Sequence, residues 1–114
     1  MILGNTVRFS AYTIDENALR SLHDALGTQR VGIVSGEKSW QAVAPRMPRL
    51  DVCCHIKYGG ECTMDAINAA AEACSEAGAG VILGIGGGKA LDVAKAAGQL
   101  IGLPVYAVPT IAAT

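Results

Sequence analysis

The sequence has few aromatic residues and no excess of basic ones. Its 114 residues include one Phe, one Trp and three Tyr, and nine Lys and Arg against ten Asp and Glu give a formal net charge of −1. Base-stacking platforms are built from aromatic side chains, and nucleic-acid and anionic-membrane surfaces need a basic excess. The composition therefore predicts no nucleic-acid partner and no membrane partner.

The sequence also lacks metal-site spacing among its thiols and imidazoles. No Cys-x-x-Cys pair occurs among Cys53, Cys54, Cys62, Cys74, His23 and His55. We interpret the cysteines as free, buried or half-buried thiols of a reducing compartment and the histidines as surface or packing residues. The N-terminus has no signal-peptide pattern, so a cytoplasmic location is the expectation.

No apolar run is long enough and unbroken enough to suggest a membrane span. Residues 96–114 carry no charge, but Gly98, Gly102, Pro104 and Pro109 interrupt them. This apolar segment would be exposed in an isolated monomer, which favours self-association. We therefore expect a homo-oligomer.

The sequence does contain a regular alternation of strand and helix patterns. Short apolar runs predict strands over 6–14, 31–34, 51–57, 81–85 and 105–108, and helical spacing predicts helices over 15–26, 37–43, 63–76 and 89–100. Residues 1–114 are thus predicted to form one α/β domain. Right-handed crossovers make it a Rossmann-like parallel sheet with helices on both faces.

Two predicted elements carry a clear apolar face. The strand over 51–57 alternates Val52, Cys54 and Ile56. The helix over 63–76 places apolar side chains on one side, namely Met64, Ile67, Ala70, Ala71 and Cys74.

The sequence Gly84-Ile-Gly-Gly-Gly-Lys-Ala-Leu-Asp92 directly follows the predicted strand 81–85. Glycines let a ligand approach the backbone, and a helix N-terminus attracts anions, so the motif predicts a phosphate-bearing ligand. It is not a Walker A loop, because Leu83 and Ala90 replace the required Gly and Ser/Thr, and Lys89 breaks the G-x-G-x-x-G pattern. The structural alternative is a glycine turn that only lets a helix pack on the sheet.

Charged residues follow along the same helix. Lys89, Asp92 and Lys95 are spaced three residues apart, which is compatible with a solvated face of weak ion pairs. The alternative is that Lys89 contacts the phosphate.

Three segments together resemble a known family. They are Tyr58–Cys62 (YGGEC), Gly84–Lys95 (GIGGGKALDVAK) and Val108–Thr114 (VPTIAAT). They resemble the glycerol dehydrogenase branch of the metal-dependent, iron-type alcohol dehydrogenases. The resemblance implies that residues 1–114 are the N-terminal NAD-binding domain of a dehydroquinate synthase/iron-type alcohol dehydrogenase-like fold.

The resemblance also implies a set of cofactor-binding residues. These are Glu37, Gly86, Gly87, Gly88, Lys89, Asp92, Thr110 and Ala113. The glycines and Lys89 would hold the NAD pyrophosphate, and Thr110 would contact the cofactor. Ala113 replaces the usual Ser, which leaves a backbone contact only. Glu37 stands where the family binds the adenosine ribose with Asp, and a carboxylate there favours NAD over NADP; otherwise Glu37 is an ordinary acidic residue of a first helical turn.

The implied reaction is oxidation of a polyol or related alcohol by hydride transfer to NAD, with Zn²⁺ or Fe²⁺ polarising the alcohol. In the family the metal ligands lie in a separate helical domain, so no catalytic or metal-binding residue is assigned to this chain. We expect the 114 residues alone to be inactive. One alternative is a free-standing nucleotide-binding module or remnant without catalysis. Another is a dehydrogenase of the same superfamily that acts on a hydroxy acid or a sugar phosphate.

Overall fold

The computed structural model describes residues 22–109. Residues 22–26 are the described part of helix α1. The elements that follow are β1 (Arg30–Ser35), α2 (Glu37–Val43), a short 3₁₀ helix (Ala44–Arg46), β2 (Asp51–Lys57), α3 (Met64–Ala77), β3 (Val81–Gly86), α4 (Gly88–Ile101) and β4 (Val105–Pro109). The predicted strand over 6–14, Thr110 and Ala113 lie outside the described residues.

The four described strands form one parallel sheet in the order β2-β1-β3-β4. Helices cover both faces, which confirms the predicted Rossmann-like architecture. The chain moves from β1 to β2 on one side and from β3 to β4 on the other. The winding direction therefore reverses between β1 and β3, and in such sheets ligands bind beyond the carboxyl ends of the strands at this point.

A separate apolar core lies on each face of the sheet. On the first face, α1 and α2 bury Leu22, Leu26 and Val43 against alternate residues of β1 and β3, with Trp40 packed against the same cluster. On the second face, α3 and α4 pack on the other set of alternate residues. That core contains Val34, Ile67, Ala70, Ala71, Cys74, Ile82, Val93, Ala94, Ala97 and Val105.

Helix α4 approaches β3 closely because small residues face each other. A Cβ added to Gly84 would lie 2.7 Å from the Cβ of Ala94. The helix ends at Gly102, whose φ of 71° is in the left-handed region that glycine adopts without strain. The sequence motif therefore places α4 with its N-terminus directly at the carboxyl end of β3.

Two residues of the predicted apolar faces, Val52 and Met64, are exposed, and the predicted burial of Cys62 is wrong. Val52 is 43% exposed, because the register between β1 and β2 shifts after Val31 and inserts Cys53 as a bulge at the start of this edge strand. Met64 begins α3 beyond the sheet and is 62% exposed. Cys62 is exposed in the loop before α3, although all four cysteines are free as expected.

Cys54 and Ile56, in contrast, pack toward α3 as the alternation predicts. The Sγ atom of Cys54 lies 3.8 Å from that of Cys74, and burial raises the pKa of the Cys54 thiol to about 12. These thiols therefore act as small apolar side chains. No helix in residues 22–109 is long and apolar enough to cross a membrane.

Candidate functional site

The candidate site is a cleft of about 470 Å³ at the carboxyl ends of β1 and β3. Gly36 leads from β1 into α2, and Gly87 leads from β3 into α4. The Gly36 N–H donates to the Ile85 carbonyl oxygen at 3.3 Å, which joins the two strand ends. The cleft is lined by Gly36, Glu37, Lys38, Ser39, Tyr58, Gly60, Gly87, Gly88, Lys89 and Ala90.

The N-terminus of α4 opens into this cleft. Its N-cap residue, Gly87, has no side chain to cap the helix, and its first turn contains no acidic residue. The first intrahelical bond runs from the Leu91 N–H to the Gly87 carbonyl oxygen at 3.1 Å. The N–H groups of residues 88–90 consequently have no carbonyl partner within the helix, and they carry the positive end of its dipole.

The glycines at this point have two different roles. A Cβ added to Gly87 or Gly88 would meet no atom within 4 Å, so their missing side chains leave the cleft open to a ligand. Gly86 instead has a φ of 146°, and a Cβ there would lie 2.9 Å from the Cβ of Ala90. Gly86 is therefore a buried packing position, where the last residue of β3 meets α4.

Lys89 pairs across the mouth of the cleft with Glu61. Its Nζ atom lies 3.1 Å from both Oε1 and Oε2 of Glu61. The two side chains are 58% and 70% exposed, so solvent screens the pair and it contributes little to stability. An anionic ligand at the α4 N-terminus would compete with Glu61 for this ammonium group.

Glu37 is held on the β1 side of the cleft. Its Oε2 atom lies 2.9 Å from Nζ of Lys57, at the end of β2, and its Oε1 atom accepts from Nε2 of Gln41 at 3.2 Å. The hydrogen bond from Lys57, together with the charge of its ammonium group, lowers the pKa of Glu37. Glu37 is thus an anion that faces the cleft with both oxygens already engaged.

His55 and Ser35 fix the end of β1 beneath α2. Ser35 is fully buried, and its Oγ atom lies 2.6 Å from Nε2 of His55. The His55 ring packs edge-on against Trp40 with the ring centroids 4.5 Å apart. Desolvation, and then the charge of Lys57, lowers the pKa of His55, although Glu37 partly opposes them. The arrangement agrees with the predicted packing role of His55.

The structure brings some of the sequence-predicted residues together and separates others. Glu37, Gly87, Gly88 and Lys89 line one cleft, whereas Gly86 is buried behind Gly87 and is not among the lining residues. Asp92 is exposed on α4 and is not among the lining residues.

Sequence reasoning missed the partners of Glu37 and Lys89. Lys57 lies in β2 and Glu61 in the loop after it, and each contacts one of these two lining residues. Glu61 lies within the segment that carries the family resemblance, so that segment was a signal. For Lys57 the sequence offers no comparable signal.

A metal donor set is not found among residues 22–109. No group of three His, Cys, Asp or Glu side chains in this range is placed to hold a metal ion. These residues therefore do not fit Zn²⁺ or Fe²⁺.

Comparison with known proteins gives consistent matches. A family model described as iron-containing alcohol dehydrogenase matches residues 9–114. A glycerol dehydrogenase of Escherichia coli is 49% identical over 57 residues, which are 50% of this chain and 16% of that protein. Hydroxycarboxylate dehydrogenase A of Escherichia coli K12 is 34% identical over 110 residues, 90% of this chain and 30% of that protein.

A solved structure shows the same fold. The iron-containing alcohol dehydrogenase of Corynebacterium glutamicum superposes with a TM-score of 0.70 at 19% identity, over 91% of this chain and 30% of that one. The chain thus spans between 16% and 30% of the length of these three proteins.

Proposed function

The chain belongs to the iron-containing alcohol dehydrogenase family, and from this premise we propose that residues 1–114 form the NAD-binding domain of a dehydrogenase that oxidises a polyol such as glycerol. The observation that carries the proposal is the N-terminus of α4, which has no capping side chain and meets a glycine loop at the reversal point of the sheet. Free N–H groups, a helix dipole and missing Cβ atoms together suit a pyrophosphate.

Different residues of the cleft contact different parts of the dinucleotide in this proposal. The N–H groups of residues 88–90 donate to the pyrophosphate, and the Lys89 ammonium adds a charge-assisted hydrogen bond. Glu37 accepts from the adenosine ribose hydroxyls on the β1 side of the cleft. Bound NAD supplies the hydride acceptor, and this domain positions it.

The substrate and the metal belong to the whole protein. Similarity to the Escherichia coli glycerol dehydrogenase supports a polyol as the substrate. Similarity to hydroxycarboxylate dehydrogenase A, which matches 90% of the chain, supports a hydroxy acid as the second candidate. Zn²⁺ or Fe²⁺, held by residues outside 22–109, would polarise the alcohol. We further propose that the protein works as a homo-oligomer.

Replacing Gly87 by Asp tests the cleft directly. Asp is a favourable N-cap residue, and no atom lies within 4 Å of the new Cβ, so the Gly87→Asp variant should keep its stability within ~0.5 kcal/mol. Its carboxylate would take the free N–H groups and repel a pyrophosphate. We expect NAD affinity, measured by titration calorimetry, to fall by more than about tenfold.

Gly59→Asp is the matched control. Gly59 also has no atom within 4 Å of an added Cβ, but it does not line the cleft. Its NAD affinity should stay within about threefold of the wild type. Equal affinity in the two variants, or no NAD binding by the unaltered chain, would reject the proposed site.

A further inference from the structure

The β1 side of the cleft carries more positive than negative charge. Lys38 lines the cleft beside Glu37, and Lys57 contacts the Glu37 carboxylate at 2.9 Å. Among the described lining residues, Glu37 is the acidic one. One carboxylate between two ammonium groups leaves this side with a net positive charge.

The engagement of Glu37 changes what it can do to a ligand. A carboxylate favours NAD over NADP by accepting from the ribose hydroxyls and by repelling a 2′-phosphate. Here Lys57 neutralises one oxygen and Gln41 donates to the other. The repulsion is therefore reduced, and the Lys57 ammonium lies 2.9 Å from the carboxylate that would otherwise repel a 2′-phosphate.

Resting on the proposed function, we propose that Lys57 is a cofactor-specificity residue, which lets the cleft accept NADP as well as NAD by neutralising Glu37 and pairing with the 2′-phosphate. The Lys57 side chain is 53% exposed, so its ammonium, which has three N–H donors, can donate to a phosphate while it still contacts the Glu37 carboxylate. Lysine suits this role because it binds phosphate as a mobile point charge. The proposal differs from the expectation that Glu37 alone sets a preference for NAD.

The test compares NAD and NADP binding by calorimetry at one low salt concentration. For the wild type we expect the two dissociation constants to agree within about tenfold. The Lys57→Met variant removes a cation and leaves Glu37 without its ion-pair partner. The affinity for NADP should therefore fall by about tenfold or more, while the affinity for NAD should change by less than about threefold. Lys57→Arg keeps the charge and should retain the wild-type ratio.

Lys95→Met is the control for the loss of one positive charge, because Lys95 lies on α4 and does not line the cleft. Its NADP-to-NAD ratio should equal that of the wild type, and unfolding midpoints report whether each variant is folded. An unchanged ratio in Lys57→Met, or wild-type NADP binding more than about a hundredfold weaker than NAD binding, overturns the inference while leaving the proposed function intact. Absence of binding by both dinucleotides rejects both.

Discussion

Lys89 has two competing partners. One is the Glu61 carboxylate, which it contacts in the structure, and the other is the pyrophosphate of the proposed NAD ligand. Its ammonium lies 3.1 Å from both Glu61 oxygens. That exposed pair is weak, whereas a hydrogen bond between an ammonium and a phosphate is charge-assisted on both sides. The balance therefore favours release from Glu61 when a pyrophosphate binds.

Removing the Lys89 ammonium should weaken NAD binding. We expect Lys89→Ala to cost ~1–3 kcal/mol of binding free energy in calorimetry, because one charge-assisted hydrogen bond is lost. Lys95→Ala removes the same charge from the same helix outside the cleft and should leave the affinity unchanged. Glu61→Gln removes the competitor and should leave the affinity equal or higher. If Lys89→Ala binds NAD as well as the wild type, Lys89 belongs to a solvated face.

Individual residues differ in how far the sequence predicts their roles. The position of the glycines at the start of α4 was predictable, because it follows from the local sequence of a strand, a glycine run and a helix, whereas their role toward a cofactor stays a prediction. The pairs Lys89–Glu61 and Lys57–Glu37 were not predictable, because they join residues 28 and 20 positions apart. Charged residues are visible in a sequence, but only the sheet order decides which of them meet.

At the scale of elements, the His55–Ser35 contact joins β2 to the end of β1, and the His55 ring also packs against Trp40 of α2. The Ser35 hydroxyl is fully buried, and His55 Nε2 lies 2.6 Å from it. A buried hydroxyl without a partner costs free energy, so this contact stabilises the strand end that forms one side of the cleft.

Acidification should destabilise the fold through His55. Its pKa is lowered from 6.5 in the folded chain, chiefly by desolvation, so the unfolded chain takes up the proton more readily. The His55 contribution is present above 6.5 and is lost progressively as the pH falls through that value toward the lower folded pKa. We expect the urea midpoint to drop between about pH 7.5 and about pH 5.5.

The His55→Phe variant isolates this contribution. Phe keeps a ring against Trp40 but does not titrate, so it should remove most of the pH dependence while lowering stability by ~1–3 kcal/mol, since Ser35 loses its partner. His23→Phe is the matched control, because His23 is exposed and shows no such burial. A pH dependence that persists in His55→Phe and disappears in His23→Phe would contradict the assignment.

The elements themselves were predicted closely from the sequence. The pattern predicts a helix over 89–100 and the structure has Gly88–Ile101, since glycine marks both ends. The alternation within β2 failed at Val52, because a bulge depends on the partner strand and not on the strand's own residues. Local propensities set where elements begin and end, whereas pairing between strands sets which side chains they bury.

For the whole molecule, the strand order β2-β1-β3-β4 brings the separate sequence motifs together at one site. An apolar run predicts a buried strand but does not show which strands lie next to it. The sequence alone therefore could not place the β1–α2 connection at Gly36 beside the β3–α4 connection at Gly87. Once β1 and β3 are adjacent, both connections leave the sheet at the same edge. The reversal point then follows from the winding, and the cleft follows from the reversal point.

The proposed function separates cofactor binding from chemistry, which gives the last prediction. Residues 22–109 contain the cleft that we propose for the dinucleotide, but no set of side chains in this range is placed to hold a metal ion. Without a metal to polarise the alcohol, hydride transfer should not occur. We therefore expect the 114-residue chain to bind NAD in calorimetry but to form no NADH with glycerol and Zn²⁺ or Fe²⁺, as followed by NADH absorbance. The Escherichia coli glycerol dehydrogenase, assayed in parallel, shows that the conditions support turnover. NADH formation by the chain above the protein-free rate would mean that the catalytic groups lie within these residues.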